Sequence, residues 1–154
     1  MLKITLIAAG LVGITVTIHA VGLAALLRAM MRLHARQVRD FWSVTLVVIS
    51  LTCYLVLIHL LEIFVWGLFY YWQDCLPDVE SALYFSGVTY TTVGYGDLVL
   101  PQAWRMFGPL EAMTGTLMFG LSTGVFFAIV HRWIVGWIQR ETASRSHASA
   151  PKNK

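Results

Sequence analysis

Three long apolar stretches divide this chain, and the charged residues between them cluster by sign. Ile4 to Leu27 contains no formally charged residue, and a helix of that length spans a hydrocarbon core of about 30 Å. Phe41 to Trp72 carries a single charge, Glu62. As one continuous helix it would be about 48 Å long, so it must tilt or protrude. Met106 to Val130 carries only Glu111, and Gly108-Pro109 stands at its start, where a first helical turn tolerates proline. Arg28, Arg32, Arg36 and Arg39 follow the first stretch; Asp74, Asp78 and Glu80 follow the second. A basic cluster beside a span normally stays in the cytoplasm. That predicts an outside N-terminus, an inside first loop and an acidic outer loop that concentrates cations. Trp66, Phe69, Tyr70, Tyr71 and Trp72 then read as an aromatic belt at the outer interface.

Composition agrees with this pattern. Hydrophobic residues make up 58% and charged residues 12%, against about a quarter charged in soluble domains. A cleaved signal peptide is the rival reading of the first stretch, but the run is too long and its basic flank is Lys3 alone. The four arginines are spaced like a voltage sensor, yet they lie beyond the apolar span, whereas gating arginines cross the field. They read instead as an anchor that also meets anionic lipid headgroups. Cys53 and Cys75 are too few for a disulfide framework and lack metal-ligand spacing. Cys75 falls in the outer loop, where a bridge between subunits is conceivable and a free thiol is the simpler expectation.

The break between the second and third stretches holds Thr91-Thr92-Val93-Gly94-Tyr95-Gly96-Asp97. Gly94 and Gly96 alternate with Val93 and Tyr95. Successive carbonyls can point to one side only if alternate residues adopt unusual backbone angles, which glycine does at little steric cost. Four such strands around an axis would stack rings of oxygen able to replace the water shell of a cation, with the Thr92 hydroxyl at the inner end. Pro77-Asp78 reads as a helix start with Asp78 as cap. Glu80 to Thr91 is then a short helix aimed at the axis, its C-terminal dipole favouring a cation.

This sequence is similar to the pore module of the potassium-channel superfamily: outer helix, pore helix, filter, inner helix. The resemblance covers roughly Phe41 to Arg140. It implies a homotetramer, K+ as the permeant ion, and a filter built from Thr92, Val93, Gly94, Tyr95 and Gly96, with K+ held at Thr92 to Tyr95. Thr91, Asp97, Tyr84 and Phe85 then support the filter, the last two as an aromatic cuff. Some members carry a glutamate at the position of Val88 that braces the aspartate after the filter. Here Asp97 needs another partner, for which Tyr84 is the candidate.

Glu62 and Glu111 sit at membrane depth, where an ionised carboxylate is costly unless partnered. Glu62 lies about 15 Å below the outer end of its helix and Glu111 about 9 Å into its own. The two are expected to approach each other behind the filter as a polar brace, contacting the pore-helix backbone, His59 or Arg105. His59 and Glu62 share a helix face, and a metal site built from His59, Glu62 and Glu111 is a weaker alternative. His19, deep in the first stretch, reads as a helix-packing hydrogen bonder, with proton sensing as the lesser option. Gly115 and Gly120 are hinge candidates, though Gly120 and Gly124 also form a GxxxG packing pair. Phe126, with Val125 and Ile129, is a candidate apolar gate.

The expectation is an all-α integral membrane protein with three transmembrane helices, a re-entrant pore helix and selectivity filter, and a tetrameric pore. Its units are a first helix and basic loop (1–40), a pore module (41–140) and a disordered basic tail (141–154). It is expected to be a potassium channel of a cell membrane, consistent with a bacterial inner membrane, passively conducting and not an enzyme. No organic cofactor and no nucleic acid are expected. The rivals are a poorly selective cation channel and a non-conducting subunit that recruits a membrane partner through the first helix.

Overall fold

The computed structural model describes residues 2–33 and 41–148. It is all-helical: α1 (Leu2–Leu33), α2 (Phe41–Trp72), the short α3 (Val79–Tyr90), a 3-10 turn (Gln102–Trp104) and α4 (Phe107–Ala148). Three of these helices are long and apolar enough to cross a membrane. Arg36, Arg39 and the residues around them lie outside the described part; Arg28 and Arg32 are exposed at the end of α1.

The second apolar stretch forms α2 with the expected limits. The third starts one residue later than expected and runs much further, to Ala148. Eight residues that the sequence suggested as disordered tail thus continue the helix. Extending a formed helix costs little, and Glu, Ala and Arg favour it.

α1 packs antiparallel to α2 along a ladder of three polar rungs. Trp66 Nε1–H donates to Thr15 Oγ1 at 2.9 Å, His19 Nδ1 lies 2.9 Å from Glu62 Oε1, and the Tyr54 hydroxyl donates to the Gly22 carbonyl at 3.0 Å. The partners step along α1 by three or four residues and back along α2 by four or eight, so each rung falls on one face of its helix. α4 runs parallel to α1, with Ser122 beside His19 and Ile129 in one cluster with Leu26. The first helix is therefore built into the bundle, where the sequence had presented it as separable.

The interior has two apolar clusters separated by a polar layer. The cluster at the loop end contains Trp66, Tyr70, Phe85, Tyr90, Phe107 and Met118. The other joins Leu26, Leu51, Leu55, Ile58 and Ile129. Between them, in sequence and in space, lie buried His19, His59, Glu62 and Ser122. The expected aromatic belt is thereby corrected. Trp66 and Tyr70 are fully buried, Phe69 stacks on Phe107, and only Tyr71 and Trp72 face outward. The short α3 needs a core behind it, and these rings supply it.

Candidate functional site

α3 begins where the sequence places its cap. Asp78 accepts from Ser81 N–H at 2.8 Å and from the Ser81 hydroxyl at 2.9 Å, satisfying a first-turn donor that has no helical partner. The Ser81 bonds hold the Asp78 carboxyl below its usual range. α3 ends at Tyr90, with Thr91 as its C-cap and the Thr91 N–H bonded back to the Gly87 carbonyl at 3.2 Å.

The loop leaves this cap in an alternating conformation. Thr92, Gly94 and Gly96 have φ of 62°, 50° and 76°, while Val93 and Tyr95 between them are not among the positive-φ residues. Alternation between right- and left-handed angles turns successive carbonyls toward the same side. Glycine makes this easy at two positions, as expected from sequence. The third is Thr92, a β-branched residue in a region that disfavours it. Two backbone hydrogen bonds oppose that preference. Thr92 N–H donates to the Thr89 carbonyl at 2.9 Å and Gly94 N–H to the Val88 carbonyl at 2.9 Å. Thr91 to Asp97 are all exposed on the single chain, Val93 at 51% and Tyr95 at 72%.

Beyond the loop, the Tyr84 hydroxyl donates to Asp97 Oδ2 at 2.8 Å, the partner suggested by the absence of an acid at Val88. That bond raises the Tyr84 hydroxyl above its ordinary range, so it stays a donor at neutral pH. Phe85 points the other way, into the core, edge-on to Tyr70 at 5.2 Å. The two aromatics therefore do different work: Tyr84 holds the loop and Phe85 holds the helix.

The two glutamates do brace α3, but separately. Glu62 accepts from the Tyr90 hydroxyl at the end of α3. Glu111 accepts from Tyr70 at 2.8 Å and lies 2.5 Å from Ser86 Oγ, in the middle of α3. Ser86 and Tyr90 are four residues apart on α3, so the two glutamates brace successive turns of that helix. Their contacts are made to side-chain hydroxyls. Among the described residues, the ion pairs found are the contacts of Glu62 with His19 and His59, and none reaches Arg105. A site combining His59, Glu62 and Glu111 is not formed, because His19 takes the place expected for Glu111. Sequence reasoning missed Tyr90, Ser86 and the pairing of His19 with Glu62. A signal existed: one buried histidine in the first apolar run and one glutamate in the second, both in need of a partner across helices.

The α4 residues fall into two groups. Gly115 lies against the end of α3, where a Cβ would come 2.2 Å from the Tyr90 carbonyl oxygen. Gly120 and Gly124 have nothing within 4 Å of such a Cβ. The GxxxG pair thus makes no close contact within the chain. Phe126, Val125 and Ile129 pack into the cluster with α1 and α2, so they are not on the free face of α4. Exposed Thr116, Gly120, Thr123 and Phe127 are. Cys75, just before α3, is buried and Cys53 is exposed; both are free thiols.

These features define a multi-pass membrane protein with a short helix and an alternating loop set between two spanning helices. The family model described as ion channel matches residues 58–132, and over that stretch the chain is similar to an ion-channel domain. No curated protein and no solved structure matches the chain.

Proposed function

We propose that the chain is a subunit of a potassium-selective channel in which four copies surround one axis and K+ moves passively through Thr92 to Gly96. The observation that carries this is the alternation of φ sign at Thr92, Gly94 and Gly96. Such a strand can present its carbonyls in a row, replacing the hydration of a dehydrated cation site by site. The exposure of the whole loop on one chain supports assembly, since a lone strand of this kind has no opposing oxygens. Four copies would supply them.

In this reading Asp97, Tyr84, Phe85, Thr91, Glu62 and Glu111 hold the loop and α3 in place. The free face of α4 lines the inner cavity, which moves the gate from Phe126 to Phe127. Gly120 remains available as a hinge, and Gly115 is given to packing. Arg28 and Arg32 face the cytoplasmic headgroups, with the N-terminus outside, following the charge bias of the loops.

The test is current through the purified chain in planar bilayers under opposed K+ and Na+ gradients. Reversal near the potassium equilibrium value, lost in Gly94→Ala, is expected, because alanine resists a positive φ. Reversal near zero would leave a poorly selective cation pore. Absence of current across pH, voltage and tension would favour a non-conducting subunit.

A further inference from the structure

The polar layer between the two apolar clusters holds an unusual set of groups. His19 comes from α1, His59 and Glu62 from one face of α2, and one ligand atom from each lies within 4.8 Å of the others. His19 Nδ1 is 2.9 Å from Glu62 Oε1 and His59 Nδ1 is 3.4 Å from Glu62 Oε2. All three residues are buried, at 1%, 7% and 0% exposure. From these positions we infer that His19, His59 and Glu62 form a binding site for a divalent metal ion of the zinc class, tying α1 to the pore module at the inner end of α3.

The chemistry of the donors selects the ion. Two imidazoles and one carboxylate suit Zn2+ and its neighbours, whereas Ca2+ and Mg2+ prefer all-oxygen sites. A tetrahedral zinc with bonds of about 2.0–2.1 Å sets its ligand atoms about 3.3 Å apart. The contacts of His19 and His59 with Glu62, 2.9 and 3.4 Å to its two different oxygens, lie near that spacing. A fourth donor is already in place, for the Tyr90 oxygen is 3.1 Å from His59 Nδ1 and hydrogen-bonded to Glu62. The outer partner is present too. Ser122 Oγ lies 3.3 Å from His19 Nε2, so the ring can donate there once Nδ1 binds metal, as metal-bound histidines commonly do.

Charge gives the reason for an ion at this place. Glu62 is a fully buried carboxylate, and among the described residues its charged partners are histidines alone. At membrane depth an uncompensated anion is expensive. A dication beside Glu62 compensates that carboxylate, the two histidines binding as neutral imidazoles. The inference is independent of which ion the pore conducts.

The test uses the full-length chain, purified in detergent, stripped with chelator and confirmed as an intact oligomer. It is then loaded with Zn2+ and, as a spectroscopic probe, Co2+. The expected result is about one Zn2+ retained per subunit through dialysis and intense visible Co2+ bands of a four-coordinate site. Both should be lost in His19→Gln and His59→Gln. Both should persist when the other three histidines, His34, His131 and His147, are replaced together by glutamine. Ser122→Ala should weaken binding by about tenfold or more. The decisive measurement needs no variant. If the stripped wild-type oligomer retains no Zn2+ and Co2+ shows only the pale spectrum of its hydrated ion, the layer is a hydrogen-bonded structure and the metal site is overturned.

Discussion

The carbonyl oxygen of Tyr90 lies 2.2 Å from where a Cβ on Gly115 would stand. α4 therefore reaches the end of α3 only because residue 115 has no side chain. The obstacle is backbone, not a flexible side-chain end, so one helix must move to admit a methyl group. Gly115→Ala is expected to cost about 1–3 kcal/mol and to lower the melting temperature of the purified protein. Gly120→Ala and Gly124→Ala meet no atom within 4 Å in the chain and test the alternative. A hinge at Gly115 would show as unchanged melting with altered open probability.

The same logic applies to the docking of α1. Trp66 and Thr15 are both fully buried, and Thr15 Oγ1 is the acceptor for the indole N–H. Thr15→Val keeps the shape and leaves that donor unmet, which costs about 1–3 kcal/mol in a protein core. Between membrane helices the measured range is lower, about 0.6 on average, so a loss of about 1 kcal/mol is expected. Thr15→Ser should restore it. Equal melting of the valine and serine variants would show that the rung adds nothing to the docking of α1.

The large features were legible because they are one-dimensional. A charge-free run, a glycine alternation and a Pro-Asp helix start each carry their physics within a few residues. Spans, the α3 cap and two of the loop's three positive-φ positions follow from such local patterns. What escaped depends on which residues meet across helices. His19 and Glu62 are 43 positions apart, and nothing in either run says which face the other presents. Trp66 and Tyr70 show the same limit. Aromatics at the end of a span suit an interface equally well as a core, and the packing of α3 decides. The length of α4 was misjudged because hydrophobicity ends at the membrane while a helix need not.

Cys75 offers a probe of the loop between α2 and α3. Burial, and then the charge of Asp74 beside it, push its thiol above the ordinary range. Since the thiolate is the reactive form, a polar alkylating reagent should modify Cys75 slowly at neutral pH. The rate should climb with pH beyond the ordinary cysteine value of about 8.5 without levelling there. Mass spectrometry of the Cys53→Ser chain isolates this site. Rapid labelling at pH 7, or ready formation of a disulfide-linked dimer, would show that the loop opens.

Asp78 supplies the pH dependence of the α3 start. Its carboxyl is held below the usual range by the Ser81 N–H, so its folded value lies below its unfolded one of about 3.9. The stabilisation is therefore fully present above the unfolded value and fades as pH falls through the folded one. Because α3 carries the loop, acid should loosen the assembly partly through this cap. Asp78→Asn keeps a neutral acceptor and should flatten that part of the acid response, whereas Asp78→Ala should lower stability across the whole range. The quantity to compare is the melting temperature of each variant minus that of the wild type, followed from neutral pH to below about 4. Subtraction removes the contribution of the other carboxylates. A gap between Asn and wild type that stays constant over that range would separate the cap from the acid response. A gap that narrows as the wild-type carboxyl protonates is what the Ser81 bonds require.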